Sequence, residues 1–170
     1  MKILILNGSP HKEGNTAFMV NAFKDGATEA GHEVEIVNVG AMKINGCLGC
    51  EYCHTKGEGA CIQKDDMQEI YPKLKEADVV VLASAVHYWG FTGQLQSAIC
   101  RFYAPGKPAA QKYAMLLSSG SPGVYDGILS QYKSIISFFR AEDLGVKTVF
   151  GENNKTDAVY EELKAFGKSL

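Results

Sequence analysis

Lys2-Ile3-Leu4-Ile5-Leu6-Asn7-Gly8-Ser9-Pro10-His11-Lys12-Glu13-Gly14-Asn15-Thr16 is the stretch on which the rest of the chain is organised. Residues 2–6 form a short, mostly apolar run with the length of a buried strand and none of the layout of a signal peptide. Beyond the loop, Ala17, Val20, Phe23 and Ala27 recur at helical spacing. The loop therefore joins a strand to the open N-terminus of a helix. Free backbone N–H groups and the positive end of the helix dipole meet there, and both favour an anion. Ser9, Asn15 and Thr16 add side-chain donors, and His11 and Lys12 add positive charge. An ordinary turn, with Asn15 or Thr16 as N-cap, is the plainer alternative.

Spacing excludes two familiar phosphate loops. A P-loop has four residues between its glycines and then Lys-Ser/Thr. Here five residues separate Gly8 from Gly14, and Asn15 follows. The Gly-x-Gly-x-x-Gly fingerprint of dinucleotide-binding proteins is absent from this turn. What fits is a terminal phosphate held by a loop rich in hydroxyls and amides.

The chain has 170 residues, 46% hydrophobic and 21% charged, which is enough for one domain over 1–170 with a substantial core. A net charge of −2 gives no electrostatic reason for a nucleic-acid or membrane partner. No apolar run approaches a membrane span, and the expected compartment is the cytoplasm. Strands are predicted at 33–37 (extending to Val39), 79–83, 113–117 and 146–150, after the first at 2–6. Helices are predicted at 15–30, 65–76 (kinked or restarted at Pro72), 92–103, 125–143 and 157–167. Strand and helix alternate five times. That pattern predicts an α/β fold, a parallel five-stranded sheet with helices on both faces. Ligands of such sheets bind beyond the carboxyl ends of the strands, where strand order switches. Loops 8–16, 84–91 and 118–123 lie there; the second carries His87, Tyr88 and Trp89.

Residues 40–64 have no clear period but contain Cys47, Cys50, Cys53 and Cys61. Four thiolates at x2, x2, x7 spacing suit an iron–sulfur cluster, with the compact first intervals of ferredoxins and a longer last one. Four thiolates also make a closed zinc site, and reduced thiols in a long loop are the plain alternative. His54 reads as a loop residue rather than a ligand, and Cys100 as a small buried apolar residue.

Three features together resemble the NAD(P)H-dependent FMN reductase family and, within it, the iron–sulfur flavoprotein group. They are Gly8-Ser9-Pro10 with Gly14-Asn15-Thr16, the cysteine motif followed by Lys64-Asp65-Asp66-Met67, and Ser84 through Gln94. The resemblance implies a flavodoxin-like doubly wound sheet of strand order 2-1-3-4-5 and an FMN-dependent oxidoreductase. It implies that Ser9, His11, Asn15 and Thr16 hold the FMN phosphate. Ser84, Ala85, Val86, His87, Tyr88 and Trp89 would run along the isoalloxazine, and Ser119 and Gly120 would meet its pyrimidine end. It also implies NAD(P)H as electron donor, and a 4Fe-4S cluster on Cys47, Cys50, Cys53 and Cys61. The partners would be small-molecule or protein electron donors and acceptors, in a homodimer or higher homo-oligomer. The chain departs from the family at His11 (commonly Arg or Lys), Ala85 (commonly Pro) and His87 (commonly Tyr). With His11 in place of Arg or Lys, weaker phosphate binding is expected. A flavodoxin-like electron carrier and a zinc-stabilised structural or regulatory protein are the competing functional readings.

Overall fold

The computed structural model describes residues 1–106, 108 and 110–170. Of the break expected at 105–108, Lys107 lies outside the described residues. Five parallel strands form one sheet: β1 (Lys2–Asn7), β2 (Glu33–Val37), β3 (Val79–Ala85), β4 (Lys112–Ser119) and β5 (Glu142–Phe150), in the order β2-β1-β3-β4-β5. The crossovers are α1 (Asn15–Glu29), α2 (Met67–Glu76), α3 (Gly93–Arg101) and α4 (Asp126–Phe139), and α5 (Asp157–Lys168) closes the chain. The expected strand order is therefore the observed one.

The period of two along each strand divides the core into two layers. Leu4, Leu6, Val80, Leu82, Met115 and Leu117 face α2, α3 and α4. Ile3, Ile5, Val79, Val81, Leu116 and Ala114 face α1 and α5. Ile5, Leu6 and Val79 through Ala83 are all 0% exposed. Burying each large aliphatic side chain contributes on the order of 1.5–3 kcal/mol. β2 lies at the edge, and its outward residues Glu33 and Glu35 keep that face polar.

Three expectations change. Val39 does not extend β2; it starts a 3-10 turn over Val39–Ala41. α2 is one helix through Pro72, which lies on its exposed side, so the chain does not restart there. The helix expected to reach Asp143 ends at Phe139, and β5 begins at Glu142. Arg140 takes a left-handed conformation (φ 53°) that stops the helix. Pairing with β4 then outweighs the continuing helical period, and Asp143 Oδ1 accepts from both Tyr132 OH (2.9 Å) and Gly145 N–H (2.9 Å).

α1 and α5 cross at two glycines. A Cβ on Gly26 would lie 1.8 Å from Lys164 O, and one on Gly167 would lie 2.0 Å from Phe23 O. Helix propensity alone favours Ala over Gly by about 1 kcal/mol. The contact reverses the sign, because the obstruction is backbone. Gly26→Ala is expected to lower the unfolding free energy in urea by about 2–3 kcal/mol, as overpacking does. A variant at least as stable as wild type would show that the helices do not cross there.

Candidate functional site

The carboxyl ends of β1, β3 and β4 bring the three expected loops together, and backbone hydrogen bonds tie them. Gly8 N–H donates to Ala83 O (2.8 Å), and Gly8 O accepts from Thr92 Oγ1 (2.8 Å). A Cβ on Gly8 would lie 2.5 Å from Leu95 Cβ, so only glycine fits this clasp. Thr92 is also the N-cap of α3, accepting from Leu95 N–H, and its own N–H donates to Ser84 Oγ (3.0 Å). Val86 N–H donates to Ser118 O (2.8 Å), joining the second loop to β4.

The first loop leaves the start of α1 open. Gly14, not Asn15 or Thr16, is the N-cap, and no side chain caps the helix. Ser9 N–H donates to Asn7 Oδ1 (3.1 Å) and Ser9 Oγ accepts from His11 N–H (3.3 Å), which curls the loop over the helix end. His11, Lys12 and Asn15 are exposed at its rim. Thr16 is placed differently from the other three. It is 1% exposed, and its hydroxyl is shared with Ser118 Oγ at 2.8 Å. Its side chain locks α1 to β4, and its N–H belongs to the open first turn.

Ser84 and Ala85 are the last residues of β3, and Val86 is half-buried. The chain then makes a tight turn. His87 and Gly90 exchange two backbone hydrogen bonds of 3.0 Å around Tyr88 and Trp89. Both central residues have positive φ, 51° and 63°, the signature of a type I′ turn that normally takes Asn-Gly. Two aromatic residues in this conformation cost on the order of 1–3 kcal/mol each. They are also 96% and 55% exposed, with their rings edge to face, so little packing offsets that strain. In the third loop Ser119 is buried, its hydroxyl 2.6 Å from Tyr125 OH, and Gly120 is exposed.

Several supporting residues lie outside the sequence motifs. Asn7 is 3% exposed and donates from Nδ2 to Asn38 Oδ1 (3.2 Å). Gly40 lets the 3-10 turn lie against the first loop, since a Cβ there would be 2.1 Å from Ser9 O. Asn154 Nδ2 donates to Ser119 O (2.9 Å), and Lys155 Nζ donates to Glu13 O (2.7 Å). Only the amide at the end of β1 carried a local hint, because Asx residues bond backbone two positions on. The roles of Asn38, Asn154 and Lys155 depend on contacts across 31, 35 and 142 residues.

Cys47, Cys50, Cys53 and Cys61 line one cavity of about 20 Å³ together with Arg101 and Tyr103. Cys53 is buried, Cys61 half-buried, and Cys47 and Cys50 exposed; none is in a disulfide. Burial pushes the Cys53 thiol up, and the neighbouring Cys61 adds to the effect. Among the described residues no three Cys, His, Asp or Glu side chains are gathered as a bound ion would hold them. The donor set nevertheless fits a thiophilic centre: four sulfurs on an irregular segment facing a common space. His54 points elsewhere, its Nε2 2.8 Å from Tyr103 O. Cys100 is exposed, not buried as expected. The loop leaves β2 at the flavin-type edge, but its cavity lies at the far end of α3. Arg101 is separated from Gly93 by about 12 Å of helix at 1.5 Å per residue. The expectation that the cysteines share the edge of the first three loops is corrected accordingly.

The sequence profile of the "NADPH-dependent FMN reductase" family matches residues 1–155. The chain is 40% identical over 130 residues to an iron-sulfur flavoprotein of Archaeoglobus fulgidus, covering 75% of this chain and 56% of that one. It is 44% identical over 101 residues to an iron-sulfur flavoprotein of Methanocaldococcus jannaschii, covering 59% and 50%. The chain thus spans about half the length of the curated relatives it matches. An NAD(P)H:quinone oxidoreductase from Methanothermobacter marburgensis superposes with a TM-score of 0.77 at 17% identity, covering 99% of this chain and 93% of that one. An FMN-dependent NADH-azoreductase from Bacillus anthracis, solved with FMN, does so at 0.73 and 14%, covering 99% of both chains. At those identities the likeness is one of fold. Over the match to residues 1–155, this chain belongs to the NADPH-dependent FMN reductase family.

Proposed function

We propose that the chain is an FMN-dependent oxidoreductase, one flavin-binding unit over residues 1–170, that takes electrons from NAD(P)H and passes them to a small-molecule or protein acceptor. The observation that carries this reading is the uncapped first turn of α1, curled over by Ser9 and set at the switch in strand order. When bound, FMN supplies the redox chemistry, two-electron acceptance and one-electron release. The chain binds and orients it. The free N–H groups of Asn15, Thr16 and Ala17, with Ser9 Oγ and the Asn15 amide, would hold the phosphate. Residues 84–87 would run along the ring system, Tyr88 and Trp89 would cover it, and Ser119 and Gly120 would meet its polar end. No proton-transfer residue is assigned.

Cys47, Cys50, Cys53 and Cys61 would hold a 4Fe-4S cluster, supported by the shared cavity and by the names of the curated relatives. A homo-oligomer is supported by apolar surface between α3 and α4, where Phe138 is 78% exposed beside Tyr103 and Ile135. Five free thiols suit a reducing compartment such as the cytoplasm. Among the described residues no helix is long and apolar enough to cross a membrane.

The purified protein is expected to bind FMN in preference to FAD, and Asn15→Ala to weaken FMN more than riboflavin, because only FMN presents the phosphate. Equal losses for both ligands in fluorescence titrations would remove the phosphate assignment. Turnover of NADH or NADPH with a quinone or free flavin separates an enzyme from a pure electron carrier.

The strained turn yields a second expectation. Tyr88→Asn combined with Trp89→Gly installs the preferred type I′ pair. It should raise the unfolding free energy by about 1 kcal/mol or more, while FMN affinity falls. Reduced stability with unchanged FMN affinity would show that the two rings serve the fold and not the flavin.

Anaerobic reconstitution with iron and sulfide should load about four of each per chain, and an Ala at any of the four cysteines should abolish or degrade that loading with FMN still bound. Stoichiometric zinc without iron would favour a structural site instead.

A further inference from the structure

Arg101 is the largest fully buried side chain, 1% exposed, at the C-terminal end of α3. Its contacts are lopsided. Nη1 makes both of its hydrogen bonds, to Asp65 Oδ2 at 2.8 Å and to Asn45 O at 3.0 Å. Nε and Nη2 are buried and have no acceptor. Unpaired buried donors are rare, because each carries its full desolvation penalty, and more so on a charged group. The structural task of Arg101, stapling the start of the cysteine loop to α3, is complete with Nη1 alone. A lysine could perform it. The two idle donors therefore point to a missing acceptor. Arg101 is also one of the residues that line the cavity of Cys47, Cys50, Cys53 and Cys61.

The surroundings offer no other acceptor of suitable charge. Asp65 already serves Nη1, and it also accepts from Asn45 N–H (3.0 Å) and Met67 N–H (3.2 Å). Tyr71 OH donates to the Arg101 carbonyl (3.4 Å), and its oxygen is a neutral acceptor beside the guanidinium that brings no negative charge. Glu51 accepts from Tyr103 OH at 2.9 and 3.0 Å. Four thiolates gathered in the cavity would bring four negative charges into a site with one buried cation, and sulfur is the acceptor that the cavity provides.

We propose that Arg101 is the positioning residue of the cysteine centre, donating from Nε and Nη2 to the sulfurs of a cluster held by Cys47, Cys50, Cys53 and Cys61. This rests on the cluster reading above. Hydrogen bonds to the sulfurs and nearby positive charge favour the reduced, more negative state, so they raise a cluster's reduction potential. Asp65 balances the net charge of the guanidinium. The two directed N–H groups, rather than the bare charge, then account for most of the effect.

The test compares wild type, Arg101→Lys and Arg101→Gln, each reconstituted anaerobically with iron and sulfide and carrying FMN. The readouts are iron and sulfide content, and the midpoint potential of the cluster in a dithionite titration followed by electron paramagnetic resonance. FMN affinity reports folding, because the flavin loops lie at the other end of α3. Arg101→Gln is expected to lower the reduced-to-oxidised ratio at fixed potential at least tenfold, about 59 mV for a one-electron couple. Arg101→Lys, which keeps the charge and the Asp65 pairing, should load a full cluster yet fall between the two. A Lys variant with wild-type potential would overturn the proposal, since the staple alone would then explain Arg101. A loaded Gln variant with wild-type potential would overturn it as well. Wild-type protein that binds FMN but takes up no iron and sulfide would overturn the cluster reading itself, and this role with it.

Discussion

The backbone clasp at Gly8 is the constraint on which the candidate site depends. One peptide unit beyond β1 donates to β3 and the next accepts from the cap of α3, through Ala83 O and Thr92 Oγ1. Each bond contributes only about 1 kcal/mol net. Their importance is geometric, because a side chain at position 8 would collide with Leu95 and Thr92. With β1 drawn against β3, the chain must turn sharply away before α1, and that turn leaves the first helical N–H groups unpaired. The open helix end follows from the way two strands are joined to two helices.

Strain and open valence collect around that clasp. The first turn of α1 lacks a side-chain cap, and Tyr88 and Trp89 sit in a conformation that favours asparagine and glycine. Neither feature stabilises the chain alone. Ligand binding would satisfy the first and cover the second. Elsewhere several local rules are kept: buried alternation on the strands, Thr92 and Thr156 capping α3 and α5, and glycines where α1 and α5 touch; Pro72 within α2 and the left-handed Arg140 are exceptions. Two neighbouring departures from local rules at one edge of a sheet suit a binding edge.

The cysteine segment forms a second centre built on other rules. Apart from one 3-10 turn over Tyr52–His54, it has no regular structure between Gly46 and Lys64. Its entrance at Lys43 and Asn45 is held by Asp65, Asp66 and Arg101, beside the packing of Cys53 and of His54 on Tyr103. Lys43 N–H donates to Asp66 Oδ2 (2.7 Å), and Tyr103 steadies both Glu51 and His54. These polar anchors position the loop while leaving its sulfurs facing a small common space. The carboxyl edge of the sheet and the cysteine cavity are joined through α3, whose N-cap Thr92 holds the Gly8 clasp and whose last residue, Arg101, lines the cavity.

The sequence by itself determined the element order, the parallel sheet and the three loops at its carboxyl edge. Those follow from short-range quantities: apolar period, strand length, and glycines between periodic segments. It also carried the cysteine spacing, because thiolates that share a centre are close along this chain. Tertiary structure alone decided the end of α4, where pairing of Glu142 and Asp143 with β4 outweighs a helical pattern continuing through them. It alone turned Thr16 inward to Ser118 and left Cys100 exposed. It alone set the cysteine cavity at the far end of α3, and brought Asn154, Lys155 and Arg101 to their partners. The reason is common to these cases. Burial and hydrogen-bond satisfaction are set by neighbours distant in sequence, such as the 102 residues between Thr16 and Ser118, and no local pattern encodes them.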